Sequence, residues 1–150
     1  MAATLASCSS KECYDNQNTL PLAAFYAMEG HASVTLDSVT IYGIGAPNDS
    51  LLADTARREE IYLPFRPEAG NTSFVFRYEW QQAPRPDTLT FHYDTRPWFT
   101  GEECGVVYYY YVDSISHTRH LMDSVSVPGM VITNAARRNI EIFFRGEVRQ

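Results

Sequence analysis

From Leu20 onward, apolar and polar positions alternate in short runs broken by turn residues, which is the pattern of strands rather than helices. The stretch "SVTLDSVTIYGIG" (33–45) sets Val34, Leu36 and Ser38 on one side and Thr35, Asp37 and Val39 on the other. In "TSFVFRYEW" (72–80), Phe74, Phe76, Tyr78 and Trp80 oppose Val75, Arg77 and Glu79. "TLTFHYD" (88–94) groups Leu89, Phe91 and Tyr93 and leaves His92 on the outer side. Further strands are predicted in "LPLAAFYAM" (20–28), "EIYLPF" (60–65), "CGVVYYYYVDSI" (104–115), "LMDSVSV" (121–127), "MVITN" (130–134) and "NIEIFFR" (139–145). "LLADTARREE" (51–60) is the one helix candidate, with poor capping signals. The expected fold class is all-β, an antiparallel β-sandwich, immunoglobulin-like in general layout. It forms a single domain over residues 20–150, with residues 1–19 as a tether.

Between these strands, "TRPWFTGE" (95–102) reads as a loop carrying an aromatic pair. Arg96, Trp98 and Phe99 on such a loop would stack a sugar ring or anchor a partner protein. The plainer alternative folds Trp98 back over one end of the sandwich. The run "YYYY" (108–111) must send two tyrosines to each face of its strand, one pair into the core and one outward.

Composition sharpens this picture in two places. Ten Tyr, eight Phe and two Trp favour pleated, half-buried surfaces. The net charge of −6, with eleven scattered Arg and the single lysine Lys11, argues against a nucleic-acid partner. No run of about 20 apolar residues, the length a membrane-spanning helix needs, occurs.

Catalytic signatures are absent: there is no Gly-x-Ser-x-Gly elbow, no His-Glu-x-x-His and no glycine-rich phosphate loop. His117 and His120 in "SHTRHLMD", with Asp113 and Asp123 nearby, are better explained as polar turn residues than as a metal pair. Neither a metal nor a cofactor is expected. Glu102 and Glu103 would serve a hydrolase only with a partner carboxylate that nothing in the linear sequence supplies.

The three cysteines form an odd count. A Cys13–Cys104 bridge would tie the N-terminal segment to the body, contributing about 4–5 kcal/mol by the chain-entropy account, and would leave Cys8 over. The alternative keeps all three reduced, with Cys104 a small core residue. Six of the eight aspartates precede Ser or Thr and then an apolar residue, starting at Asp37, Asp49, Asp54, Asp87, Asp113 and Asp123. Structurally these triplets would begin turns or strand edges.

Several segments together carry a family likeness: "ECYDNQNTLPLAAFY", "IYGIGAPNDSLL", "YLPFRP", "CGVVYYYY", "HLMDSVSVPGMVITN" and "NIEIFF". With them the chain, from about Cys8 to Arg145, resembles a family of Bacteroidetes lipoproteins with no assigned activity. The resemblance implies lipidation of Cys8, which follows Leu5-Ala6-Ser7, and a bridge from Cys13 to Cys104. It further implies a place in the cell envelope, in the periplasm or at the outer membrane, with the membrane reached through the lipid. Only Met1–Thr4 precede Leu5, so this reading expects a leader upstream of Met1. The Asp-Ser/Thr-apolar triplets resemble the O-glycosylation acceptor of exported Bacteroidetes proteins, which implies Ser38, Ser50, Thr55, Thr88, Ser114 and Ser124 as acceptors. The expected role is a non-enzymatic binding or structural component, its partner a glycan or an envelope protein, with a carbohydrate-binding module as the alternative and an envelope hydrolase behind both.

Overall fold

A computed structural model describes residues 19–45, 51–101, 105–135 and 137–146, with the side chain of Thr100 outside that set. The strands are β1 (Leu22–Ala27), β2 (Leu36–Gly43), β3 (Leu51–Arg58), β4 (Glu60–Tyr62), β5 (Asn71–Tyr78), β6 (Asp87–Gly101), β7 (Gly105–His117), β8 (Met122–Ser126), β9 (Val131–Ile132) and β10 (Arg138–Phe144). One sheet has the order β4-β1-β10-β8 and the other β3-β2-β5-β6-β7-β9. The molecule is therefore the expected all-β sandwich. All pairings between these strands are antiparallel except that of β1 with β10, which is parallel.

The inner faces interlock through aromatic side chains. Phe25 of β1 meets Phe76 of the opposite sheet and Phe144 of its own, both edge to face, with ring centres 6.2 and 5.6 Å apart. Such pairs add a directional preference to simple burial. Around them Ile41, Leu89, Phe91, Ile140 and Ile142 are fully enclosed.

The helix expected at 51–60 is strand β3, and the reason lies in its pairing. Val39 opposes Ala56 and Ile41 opposes Ala53, so three residues of β3 span two of β2. This β-bulge gives the inward alanines a spacing of three, which imitates a helical face. A matching insertion in β2 changes its phase. Leu36 pairs with Arg58 and Val39 with Ala56, and Ser38 takes a φ of 61°. Leu36 and Val39 are therefore both buried, where simple alternation had set them on opposite faces. The predicted strand 60–65 is shorter, ending at Tyr62, though Leu63 still donates its N–H to the carbonyl of Pro21 at 2.8 Å.

One polar group is enclosed at the sheet's far end. Asp87, the first residue of β6, has no exposed surface. Its carboxylate accepts hydrogen bonds from Tyr78 and Thr118 hydroxyls and from the N–H groups of His120, Leu121 and Met122. Burial pushes the Asp87 carboxyl up, and these donors outweigh it, so it lies below the ordinary carboxylate range.

Candidate recognition surface on the β6–β7 arm

Strands β6 and β7 pair with each other and run 15 and 13 residues, longer than the other strands they pair with, β5 and β9. β5 follows β6 only as far as His92, and β9 follows β7 only at Tyr110 and Tyr111. Beyond those points, among the described strands, the two continue as a two-stranded arm. "TRPWFTG" is thus the outer half of a strand and not the expected loop, with Pro97 paired opposite Tyr108. A proline is tolerated there because no third described strand asks for its missing N–H.

Because successive strand residues face opposite ways, Trp98 and Phe99 cannot share a surface. Arg96 and Trp98 lie on the outer face with Asp94, Tyr109 and Tyr111, whereas Phe99 lies on the inner face opposite Val106. The expected trio Arg96, Trp98 and Phe99 is therefore divided two to one. On the outer face Trp98 stacks on Tyr109, with centroids 5.4 Å apart and planes at 11°. The Arg96 guanidinium sits over the Tyr111 ring at 4.6 Å while its Nε donates to Asp94 Oδ2 at 2.8 Å. The hydrogen bond from Arg96 to Asp94, and then the charge of that carboxylate, raise the arginine's pKa. The result is a ladder of stacked planar groups on a solvent face. Trp98 remains 52% exposed and so does not fold back over the sandwich end.

On the inner face the base of the arm belongs to the core. Tyr110 is 1% exposed and lies against Tyr93 and Phe65. Tyr93 shares a 2.6 Å hydrogen bond with the Thr72 hydroxyl and donates to the Arg66 carbonyl at 2.9 Å. Tyr108, one turn of the pleat further out, is 44% exposed, so of the inward tyrosine pair only Tyr110 fills the core. Phe99 and Val106, further still, are 66% and 52% exposed. The apolar side chains at the arm's end were not visible as a group in the sequence. Their pairing across two strands is what gathers them.

The other candidate residues lie elsewhere. Cys8, Cys13, Cys104 and Ser50, with Glu102 and Glu103, lie outside the described residues. Of the remaining acceptor candidates, Thr55 and Ser114 are exposed, and Ser38, Thr88 and Ser124 are half-buried. Four of the five described triplets sit at bulges rather than turns, on β2, β3, β7 and β8. In β7 and β8 the extra residue is the aspartate itself, Asp113 and Asp123. The fifth triplet begins with the enclosed Asp87. Among the described residues no group of three or more His, Cys, Asp or Glu gathers as a metal site. His120 hydrogen-bonds through Nδ1 to the Pro86 carbonyl at 2.9 Å, and His117 does the same to the carbonyl of Thr118.

A family model described as a family of unknown function, DUF6452, matches residues 38–144. That span runs from β2 through β10 and includes the whole arm. No curated protein and no solved structure matches the chain.

Proposed function

Because the chain belongs to the DUF6452 family of unknown function, its role has to be argued from its own surface, and we propose a lipid-anchored binding domain of the cell envelope that meets its partner through the β6–β7 arm. The observation that carries this reading is the arm's outer ladder, where Trp98, stacked on Tyr109 and half exposed, stands beside Arg96 over Tyr111. Planar groups held in place by one another lose little freedom when a partner covers them, which is what recognition surfaces exploit. The resemblance to Bacteroidetes lipoproteins supports the anchor at Cys8 and the bridge from Cys13 to Cys104. It also supports sugars at the Asp-Ser/Thr triplets, for which exposed Thr55 and Ser114 are the best-placed acceptors. The test is an intact mass of protein taken from native membranes, before and after reduction. A species beginning at an acylated Cys8 and gaining two hydrogens on reduction supports the reading. A bare soluble chain with three thiols overturns it.

A second reading, a carbohydrate-binding surface, is favoured by the chemistry of the ladder. A half-exposed indole offers an apolar face to a sugar ring, and Asp94 and Arg96 beside it supply acceptors and donors for hydroxyls. Titration with envelope and host polysaccharides separates the two. Sugar binding lost in Trp98→Ala and kept in Phe99→Ala selects the glycan, and no sugar binding leaves a protein partner.

A further inference from the structure

Between β8 and β10, neighbours in the four-stranded sheet, the chain crosses to the six-stranded sheet, pairs briefly as β9 and returns. A tight turn at Pro128–Met130 starts the crossing, closed by the Met130 N–H on the Val127 carbonyl at 2.8 Å. Beside this detour lies a recess of about 280 Å³, lined by Pro128, Val131, Arg137, Arg138 and Asn139. The two arginines also line a larger recess of about 370 Å³, whose walls include Leu22, Glu60 and half-exposed Tyr62.

Strict alternation would send Arg138 and Asn139 to opposite faces of their strand. A β-bulge brings them into one wall instead. Leu22 pairs with Arg138 and Ala23 with Ile140, so Asn139 is the extra residue of β10, and such bulges re-aim side chains. Asn139 is 6% exposed. Its Oδ1 accepts the Leu22 N–H at 2.9 Å, which fixes the orientation of the amide. Its Nδ2 is left as a donor with no partner among the described residues. Arg138 is steadied by Glu60, to which its Nε donates at 3.0 Å. Arg137 is exposed and makes no ion pair or hydrogen bond among the described residues. The chain carries an excess of carboxylates, with a net charge of −6, yet none lines the smaller recess among the described residues.

We propose that this recess binds an oxyanion, a carboxylate or a phosphate, carried on a small ligand. Arg137 offers a planar fork of N–H donors to a pair of oxygens, and the Asn139 amide meets them from the enclosed side. Arg138, already neutralised by Glu60, frames the site, and the larger recess beside it has room for the rest of the ligand. The site lies on other strands than the outer ladder, so it requires neither a partner at Trp98 nor acylation at Cys8.

The test is a nuclear magnetic resonance titration of the full chain with glucuronate, inorganic phosphate and glucose at constant ionic strength. It follows the side-chain amide of Asn139 and the Nε–H of Arg137. Saturable shifts of both signals are expected with glucuronate, with phosphate or with both, which distinguishes a carboxylate from a phosphate as the group read. None is expected with glucose. Arg137→Gln should weaken anion binding roughly tenfold. Arg119→Gln, which removes the same charge from the exposed connection before β8, should leave it unchanged. Asn139→Asp keeps the acceptor for Leu22, replaces the donor with a carboxylate and should abolish binding; if that variant does not fold, Arg137→Gln decides. No saturable shift with either anion overturns the proposal. So does equal binding of glucose, or an equal loss in Arg119→Gln, which would mean attraction to net charge rather than to a site.

Discussion

Tyr78 donates its hydroxyl to Asp87 at 2.7 Å, joining the end of β5 to the start of β6 inside the sandwich. Asp87 in turn fixes the backbone of the 118–122 connection, so a single carboxylate ties β5, β6 and the entry to β8 together. Burial, with Asp87 beside it, raises the tyrosine's pKa far above its ordinary value, which favours the phenol as a donor.

Asp87→Asn should cost about 3 kcal/mol or more, because the amide presents a donor to a site already full of donors. Tyr78→Phe should cost less, about 1.5–3 kcal/mol, since it removes one charge-assisted hydrogen bond. Urea unfolding of the three proteins measures both. Equal losses would deny Asp87 its central place.

The same carboxylate sets a pH dependence. Its folded pKa is depressed, so it contributes stability above the unfolded value of about 3.9 and loses that contribution as pH falls through the lower folded value. Stability of the natural chain should therefore fall below about pH 4 more steeply than that of Asp87→Asn. Unfolding midpoints at a series of acid pH values test the difference.

Tyr93 and Tyr110 look alike in sequence and should respond differently. Tyr93→Phe leaves the Thr72 hydroxyl and the Arg66 N–H and carbonyl short of a shared partner, and should cost about 1–2 kcal/mol. Tyr110→Phe gives up only a 3.5 Å contact to the Phe65 carbonyl and should be within about 0.5 kcal/mol of neutral. Thermal unfolding ranks the pair, and a reversed order would refute the assignment.

Thr55 holds a φ of 46° at the β3 bulge, a costly conformation for a β-branched residue. Its N–H bond to Thr40 Oγ1 at 2.9 Å would survive in glycine. Thr55→Gly should accordingly be neutral or stabilising by up to about 1 kcal/mol, whereas Thr90→Gly in ordinary strand should destabilise by about 1 kcal/mol. Denaturant midpoints of the two variants give the comparison.

Legibility in the sequence followed the physics of period two. In β5 and in the first half of β6, Phe74, Phe76, Tyr78, Leu89, Phe91 and Tyr93 face inward as their alternation says. The pattern failed wherever one extra residue entered a ladder, because a bulge is a property of two strands and each strand read alone hides it. Ser38 and the alanines of β3 are the cases in point. The arm was missed for a related reason. A proline and an aromatic pair beside a glycine resemble a loop, and only the partner strand reveals that Pro97, Trp98 and Phe99 are in register with Tyr108, Val107 and Val106. The repeated Asp-Ser/Thr-apolar triplets were visible as a signal, but their placement at bulges was not.

The parallel pairing of β1 with β10 sets the order in which this molecule becomes complete during synthesis. Leu22 donates its N–H to the side chain of Asn139, 117 residues later, and Phe25 waits for Phe144. Apart from β4 and the residues 32–34 that fold back on Phe25–Ala27, β1 has no neighbour in its sheet among the described residues until β10, the last described strand, emerges. Contacts so far apart in the chain are slow to close. A nascent chain stopped short of Arg138 would carry an open seam of apolar surface along β1, and would be a substrate for chaperones and proteases until translation reached the final strand.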